Sequence, residues 1–446
     1  MKKNQLLSAI KKYIKQCTFT DVSAALFYAF VFLMPFQIDV LAYSSTLFKG
    51  GNFNPFTSVF YYLADIVFLL ALIAWGVSLV RGEYKKKLTY GKWLIGVILL
   101  ALIIVGEWSV FVAEDQFLSL LALLRLVQMI VMYFYMANDV TNRQTVMNVF
   151  IASVSVQAVI ALLQYVTQGS LGIHVLGESV LSPTLPGVAK MNIDGVNTMR
   201  AYGTFPHPNI MAGYLVTAIM FTFYHIRKKE YIAYPVLVLL LAALLLTFSR
   251  SAMLALFIAG LFFVSVKEVK ISLKYILLGV SLLGLFIVIV NAEQTILHKL
   301  LFVDRASFDQ RVFYFSIAKS MMYAHPLGVG LSNFTLLMPD YTFLKLAPWD
   351  YQPVHNMYML LANELGLPGF IIFALLLVVL AVYLFSTYIQ RKQRHRGMGL
   401  YILATLIALA IIGLFDHYLI SLYQGQLLLF LVIGLAGHYI MKESHS

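Results

Sequence analysis

The chain predicts an all-α, polytopic membrane protein, and two observations carry that prediction. Of 446 residues, 61% are hydrophobic and only 12% charged, whereas a soluble domain carries about 25% charged residues; the mean hydropathy is +0.84. The apolar residues also fall in long runs, and a helix needs about 20 of them to cross the hydrocarbon of a bilayer. Backbone polar groups find no partner in lipid, and the alternation of barrel strands is absent, so these runs read as helices. Residues 1–446 form a single transmembrane domain on this reading. The net charge of +12 does not point to nucleic acid, because the basic residues sit in short runs between apolar segments. The lone Cys17 excludes an intrachain disulfide and a four-cysteine metal site.

Taken in order, residues 1–16 place Leu6, Ile10, Tyr13 and Ile14 on one helical face among lysines. They read either as an interfacial helix on an anionic leaflet or as a frayed basic tail. No cleavable signal peptide is expected, since this stretch lacks an apolar core. Spans follow near 23–43, 60–80, 93–113, 117–137, 145–167, 208–226, 231–248, 250–266, 272–291, 357–385, 399–416 and 420–441, about twelve in all. Lysine and arginine concentrate in alternate connections, such as Lys85–Lys87, Arg227–Lys229 and Arg391–Arg396. The positive-inside rule then puts both termini in the cytoplasm. Within the fourth span Arg125 lies roughly 12 Å deep. Intramembrane charges tend to pair, and Glu107 or Asp65 is the expected partner.

Two loops then lie outside, 168–207 and the large 293–356. The first is rich in Gly, Pro, Asn and Ser and reads as mostly irregular backbone. It ends Arg200-Ala-Tyr-Gly-Thr-Phe-Pro-His-Pro-Asn209, with Asn209 as the expected helix cap. It is either a rigid helix entry or a pocket wall delivering Arg200 and Asn209. The hairpin Thr247–Ser251 holds Arg250 at the water boundary, where a fixed guanidinium suits phosphate oxygens or snorkels to headgroups.

The large loop begins with an amphipathic helix expected over 305–324. Phe308, Val312, Phe315 and Met322 fall on one side of it, and Arg311 is offset from that stripe. His325-Pro-Leu-Gly-Val-Gly330 is a breaker and turn. His355-Asn356 opens the tenth span, where the helix dipole favours a neutral imidazole able to accept a proton, and where an anion is also welcome. Pro368 should kink that span. Asp416-His417 closes the eleventh at similar depth. The outer acids show no metal-ligand spacing. None of the six outer histidines, His174, His207, His298, His325, His355 and His417, has an i, i+4 partner.

With these motifs in order the sequence resembles the O-antigen ligase and O-antigen polymerase superfamily, integral membrane glycosyltransferases of the GT-C type. The matching pieces are Arg200-x-x-Gly-Thr-Phe with His207-Pro-Asn209, Ser249-Arg250-Ser251, Arg311 ahead of Pro326–Gly330, and His355-Asn356 leading to Glu364-x-Gly366-x-x-Gly369. They cover about 200–370. The resemblance implies transfer of a glycan from undecaprenyl diphosphate to an acceptor hydroxyl on a glycan or lipid-linked molecule, at the outer face of a bacterial cytoplasmic membrane, without metal or other cofactor. Carried over by motif, His355 would be the base, while Arg250, Arg311 and Arg200 would bind the diphosphate. Asn209, Asn356 and Asp416 would support them. A twelve-helix secondary transporter is the competing class, but no internal repeat of the kind carriers show is visible.

Overall fold

The computed structural model describes residues 17–45, 54–138, 140–193, 196–264, 279, 305–344, 346–347, 350–390 and 397–444. The basic segment 1–16, the ninth expected span 272–291 and the first part of the large loop, 293–304, lie outside the described residues.

The helices run α1 (Phe19–Leu33), α2 (Leu63–Val80), α3 (Trp93–Val112), α4 (Gln116–Ala137), α5 (Arg143–Thr167), α6 (Pro208–Arg227), α7 (Ala233–Leu246) and α8 (Arg250–Val264). They continue as α9 (Arg305–Ala324), the short α10 (Phe334–Leu337), α11 (Met357–Glu364), α12 (Gly366–Gln390), α13 (Gly397–Gly413), the short α14 (Tyr418–Ser421) and α15 (Tyr423–Ser444). Among the described residues, seven of these, α2 to α6, α12 and α15, are long and apolar enough to cross a membrane. The helices α1, α7, α8 and α13 are apolar but shorter. The protein is therefore mostly helical, as expected, with seven rather than twelve described helices of full crossing length.

Two small antiparallel hairpins interrupt the all-α pattern. β1 (Asp39–Ser44) pairs with β2 (Ser58–Tyr62), with an irregularity between Leu41 and Tyr43. This shortens the first expected span: α1 stops at Leu33 because Pro35 has no N–H to continue the ladder. β3 (Lys190–Ile193) pairs with β4 (Val196–Met199), giving order to a loop read as irregular.

In α6 and α15, 89% of the apolar window is buried, against 28 to 50% in the other five spans. These two helices lie at the centre of the bundle together with the shorter α13, most of whose residues are also buried, while the other five spans show more of their surface. Several of their polar side chains are satisfied within the bundle, as a bilayer favours. Thr217 and Thr222 donate to the carbonyls of Gly213 and Ala218 one turn back, and Tyr214 donates to the Gln424 carbonyl at 2.8 Å.

The tenth expected span is two helices. The break falls at Leu365–Gly366 rather than at Pro368, which sits harmlessly in the first turn of α12. Gly366 has φ of +71°, a conformation cheap only for glycine. The open carbonyls at the end of α11 are taken by the 325–330 turn: Val329 N–H donates to Asn363 O at 2.8 Å and Gly330 N–H to Glu364 O at 3.0 Å, while Leu367 N–H donates to Pro326 O at 3.0 Å. Contact is so close that a Cβ on Gly328 would meet the Glu364 carbonyl oxygen at 2.6 Å.

Helix α9 spans the expected residues, but its packed stripe is not the expected one. Tyr314, Ile317, Ala318 and Met321 face inward and build a separate small core with Val329, Phe334, Met338, Val354 and Leu360. Val312 and Phe315 are exposed.

Arg125 pairs with Asp65 of α2. It also donates to Gln128 and to the Phe60 carbonyl, both at 2.8 Å, and its guanidinium lies 4.4 Å from the Tyr423 ring centroid. Tyr423 in turn donates to Asp65 at 2.6 Å, so one ion pair ties α2, α4 and α15. Arg125→Leu takes the cation from a half-buried carboxylate that keeps its bonds from Gln128 and Tyr423, and should cost about 1–3 kcal/mol. The expected melting curve in detergent shifts down sharply, and the Asp65→Leu/Arg125→Leu double substitution recovers most of the loss.

Candidate active site

The expected site residues converge on the turn Leu414–His417. The eleventh span was expected to run to 416, but α13 ends at Gly413, which frees these four residues to receive contacts from distant segments. Asn356 donates to the Leu414 carbonyl at 3.1 Å, and Arg311 to the Phe415 carbonyl at 3.2 Å. Asn209 Nδ2 donates to Asp416 Oδ2 at 2.9 Å, and the backbone N–H of His417 donates to Asp416 Oδ1 at 2.9 Å. The His355 and His417 rings lie 5.3 Å apart, and Phe56 meets His417 edge-on at 5.3 Å.

Each side chain is placed by a local rule. Asn356 caps α11, its Oδ1 accepting from Met359 N–H at 2.9 Å, which sets His355 immediately before the helix. The cap of α6 is His207, not Asn209: His207 Nδ1 accepts from Asn209 N–H at 3.1 Å, and Pro208 occupies the first helical position. Asn209 is thereby released to bridge, its Oδ1 accepting from Arg200 at 2.7 Å. Arg200 also donates to the Thr247 carbonyl at 2.6 Å. Arg250 begins α8 just beyond that same turn. Arg200 and Arg250 therefore flank one chain reversal.

Asp416 and His417 are 6% and 4% exposed; His355 and His207 are half-buried. Burial lowers the pKa of all three imidazoles, Asp416 opposing it in each case. The His207 value falls to about 4 and that of His417 to about 3, and His355 moves down with Arg311 adding to the effect. All three are therefore neutral at neutral pH. Burial alone would raise the Asp416 pKa, but the charges that His417, His355 and His207 gain in acid, with the Asn209 amide, outweigh it and bring it below the usual value. Burial lowers Arg200 to about 10, with Arg250 contributing repulsion; it stays charged.

Two tautomers follow from the hydrogen bonds. Ser421 Oγ donates to the His417 carbonyl at 3.1 Å, so it accepts from His417 Nδ1–H at 2.6 Å, leaving His417 Nε2 with a free lone pair. His207 Nδ1 is an acceptor, so its Nε2 carries the proton. The Nδ1 of His355 is buried without a hydrogen-bond partner.

Of the expected residues, His355, Arg311, Asn356 and Asp416 meet directly at this turn, Arg200 and Asn209 join through Asp416, and Arg250 joins beside Arg200. His207, His417, Phe56 and Tyr314, whose ring lies 6.1 Å from that of His355, were given no role. For His207 the signal was its place before Pro208; for His417, its adjacency to Asp416. Phe56 carried none. The ligand atoms of His355, Asp416 and His417 lie within 4.8 Å of one another and could hold a metal ion, a grouping that sequence spacing hides because it joins distant segments. Asn209→Leu removes the bridge between Arg200 and Asp416. It should cost about 1–3 kcal/mol, read as a lowered melting temperature in detergent, whereas Asn209→Asp should keep the link to Arg200.

None of the curated proteins compared with the chain matches it. A family model described as O-antigen ligase matches residues 235–374, a stretch that contains Arg250, Arg311 and His355 but not Arg200, Asn209 or Asp416. This stretch of the chain is thus similar to the O-antigen ligase family, in line with the resemblance read from the sequence.

Proposed function

We propose that the protein transfers a glycan from undecaprenyl diphosphate to an acceptor hydroxyl, on the extracytoplasmic face of a bacterial cytoplasmic membrane, with both termini in the cytoplasm. The observation that carries this reading is the Asp416–His355 cluster flanked by Arg311, Arg200 and Arg250, in a chain with an O-antigen ligase domain.

The acceptor oxygen attacks the anomeric carbon. The bond from that carbon to the diphosphate oxygen breaks, and its electron pair leaves with the diphosphate. His355, neutral through burial, takes the hydroxyl proton, and the ionised Asp416 stabilises the imidazolium that forms. The arginines hold the diphosphate and meet its growing charge, so the chemistry as proposed calls for no metal or other cofactor. Asn356 holds the helix start that aims His355. Ligation and polymerisation share these steps and differ in the acceptor, a lipid-linked core or another repeat unit.

The transport reading gains no support: the charged and imidazole groups gather on one turn at the end of α13, and the matched domain is that of a ligase. Purified protein in detergent, given a polyprenyl-diphosphate glycan and a candidate acceptor, should move the glycan. His355→Ala should lower the rate by about 10²–10⁴-fold, and Arg250→Ala should also reduce it strongly, both with unchanged melting temperature. Wild-type rates in both variants would refute the assignment, and solute flux in liposomes without transfer would favour a carrier.

A further inference from the structure

We propose that His355, Asp416 and His417 form a binding site for a transition-metal cation of the zinc class, and that an ion bound there blocks the enzyme. The blocking half rests on the reading above, in which His355 is the base; the binding half does not.

Two independent observations point to a ligand. The three side chains present one ligand atom each within a span of 4.8 Å. Each of the two imidazoles also has an unspent nitrogen. The hydrogen bond from His417 Nδ1 to Ser421 leaves the Nε2 lone pair free, the arrangement in which metal-ligating imidazoles are held by an outer partner. His355 Nδ1 is buried with no partner, which leaves a polar atom unsatisfied at a cost that a ligand or a small ring movement can relieve.

The donor set decides the class of ion. Two neutral imidazoles and one carboxylate suit zinc and its neighbours, whereas magnesium and calcium want oxygen ligands. Zinc–nitrogen bonds of about 2.0–2.1 Å draw the three donors closer together than they now lie, and His355, ahead of α11, is the least enclosed of the three. Arg311 and Arg200 face the cluster and repel a cation, which sets the affinity below that of a closed structural site. The same position explains inhibition: a lone pair donated to a metal no longer takes the acceptor proton, and the ion lies where the hydroxyl must come.

The test uses the full chain in detergent, stripped of metal. Zinc chloride titrated calorimetrically should show one site. Cobalt(II) should give the visible absorption of a four-coordinate nitrogen–oxygen complex, and magnesium should not compete. Asp416→Asn and His417→Gln should each abolish both signals. Ser421→Ala, which removes only the outer partner of His417, should weaken binding by about tenfold and keeps the test open if His417→Gln fails to fold. Retained binding in these variants would place the ion elsewhere and overturn the proposal, as would no binding to the wild type. In the transfer assay zinc should inhibit and a chelator restore the rate, with Ser421→Ala needing about tenfold more zinc; stimulation by zinc would overturn the blocking half. If no glycan transfer is found with any acceptor, the calorimetry still decides whether the ion binds.

Discussion

A buried carboxylate cannot stay ionised alone, and Asp416 is the point on which the rest of the site turns. One oxygen is held by the neighbouring backbone N–H, the other by Asn209. Because Asn209 also accepts from Arg200, and Arg200 from there reaches the Thr247 carbonyl, the chain of polar contacts runs from α13 through the start of α6 to the reversal before α8. The imidazoles close the ring from the other side. Removing the negative charge would leave Arg200 with its bonds to Asn209 and the Thr247 carbonyl but without a nearby counter-charge.

A second constraint fixes where His355 stands. Backbone groups at membrane depth must be paired, and the break after Glu364 would leave two carbonyls open. The Pro326–Gly330 turn occupies that gap with its own N–H groups. The segment 305–356 is therefore no loose connection. It has a private core around Tyr314 and Met321 and is plugged into a broken helix, which gives α11 and the residue ahead of it a rigid seat.

Apolar runs located the helices well, and the end of α9 was readable because the His325-Pro326 turn follows it. The motif residues were also readable as candidates. Less could be seen of where helices stop. Hydropathy reports transfer from water to lipid, not whether the next backbone N–H has a partner, so the ends at Leu33, Leu365 and Gly413 escaped it. Helix α9 carries apolar residues on two faces, Val312 and Phe315 on one, Ile317 and Met321 on the other, and only tertiary packing chooses between them. The meeting of Asn209, His355 and Asp416 is a long-range event with no local signal. Asn209 looked like a cap, and became a bridge because His207 took the capping role.

The matched stretch 235–374 holds four of the expected site residues, Arg250, Arg311, His355 and Asn356, yet their counter-charge arrives from beyond it, at Asp416, and a third arginine from before it, at Arg200. The recognisable domain is consequently not a portable module. Transplanted by itself it would carry His355 without the carboxylate that lies beside it, and recombination between distant relatives would have to exchange the flanking helices together with it.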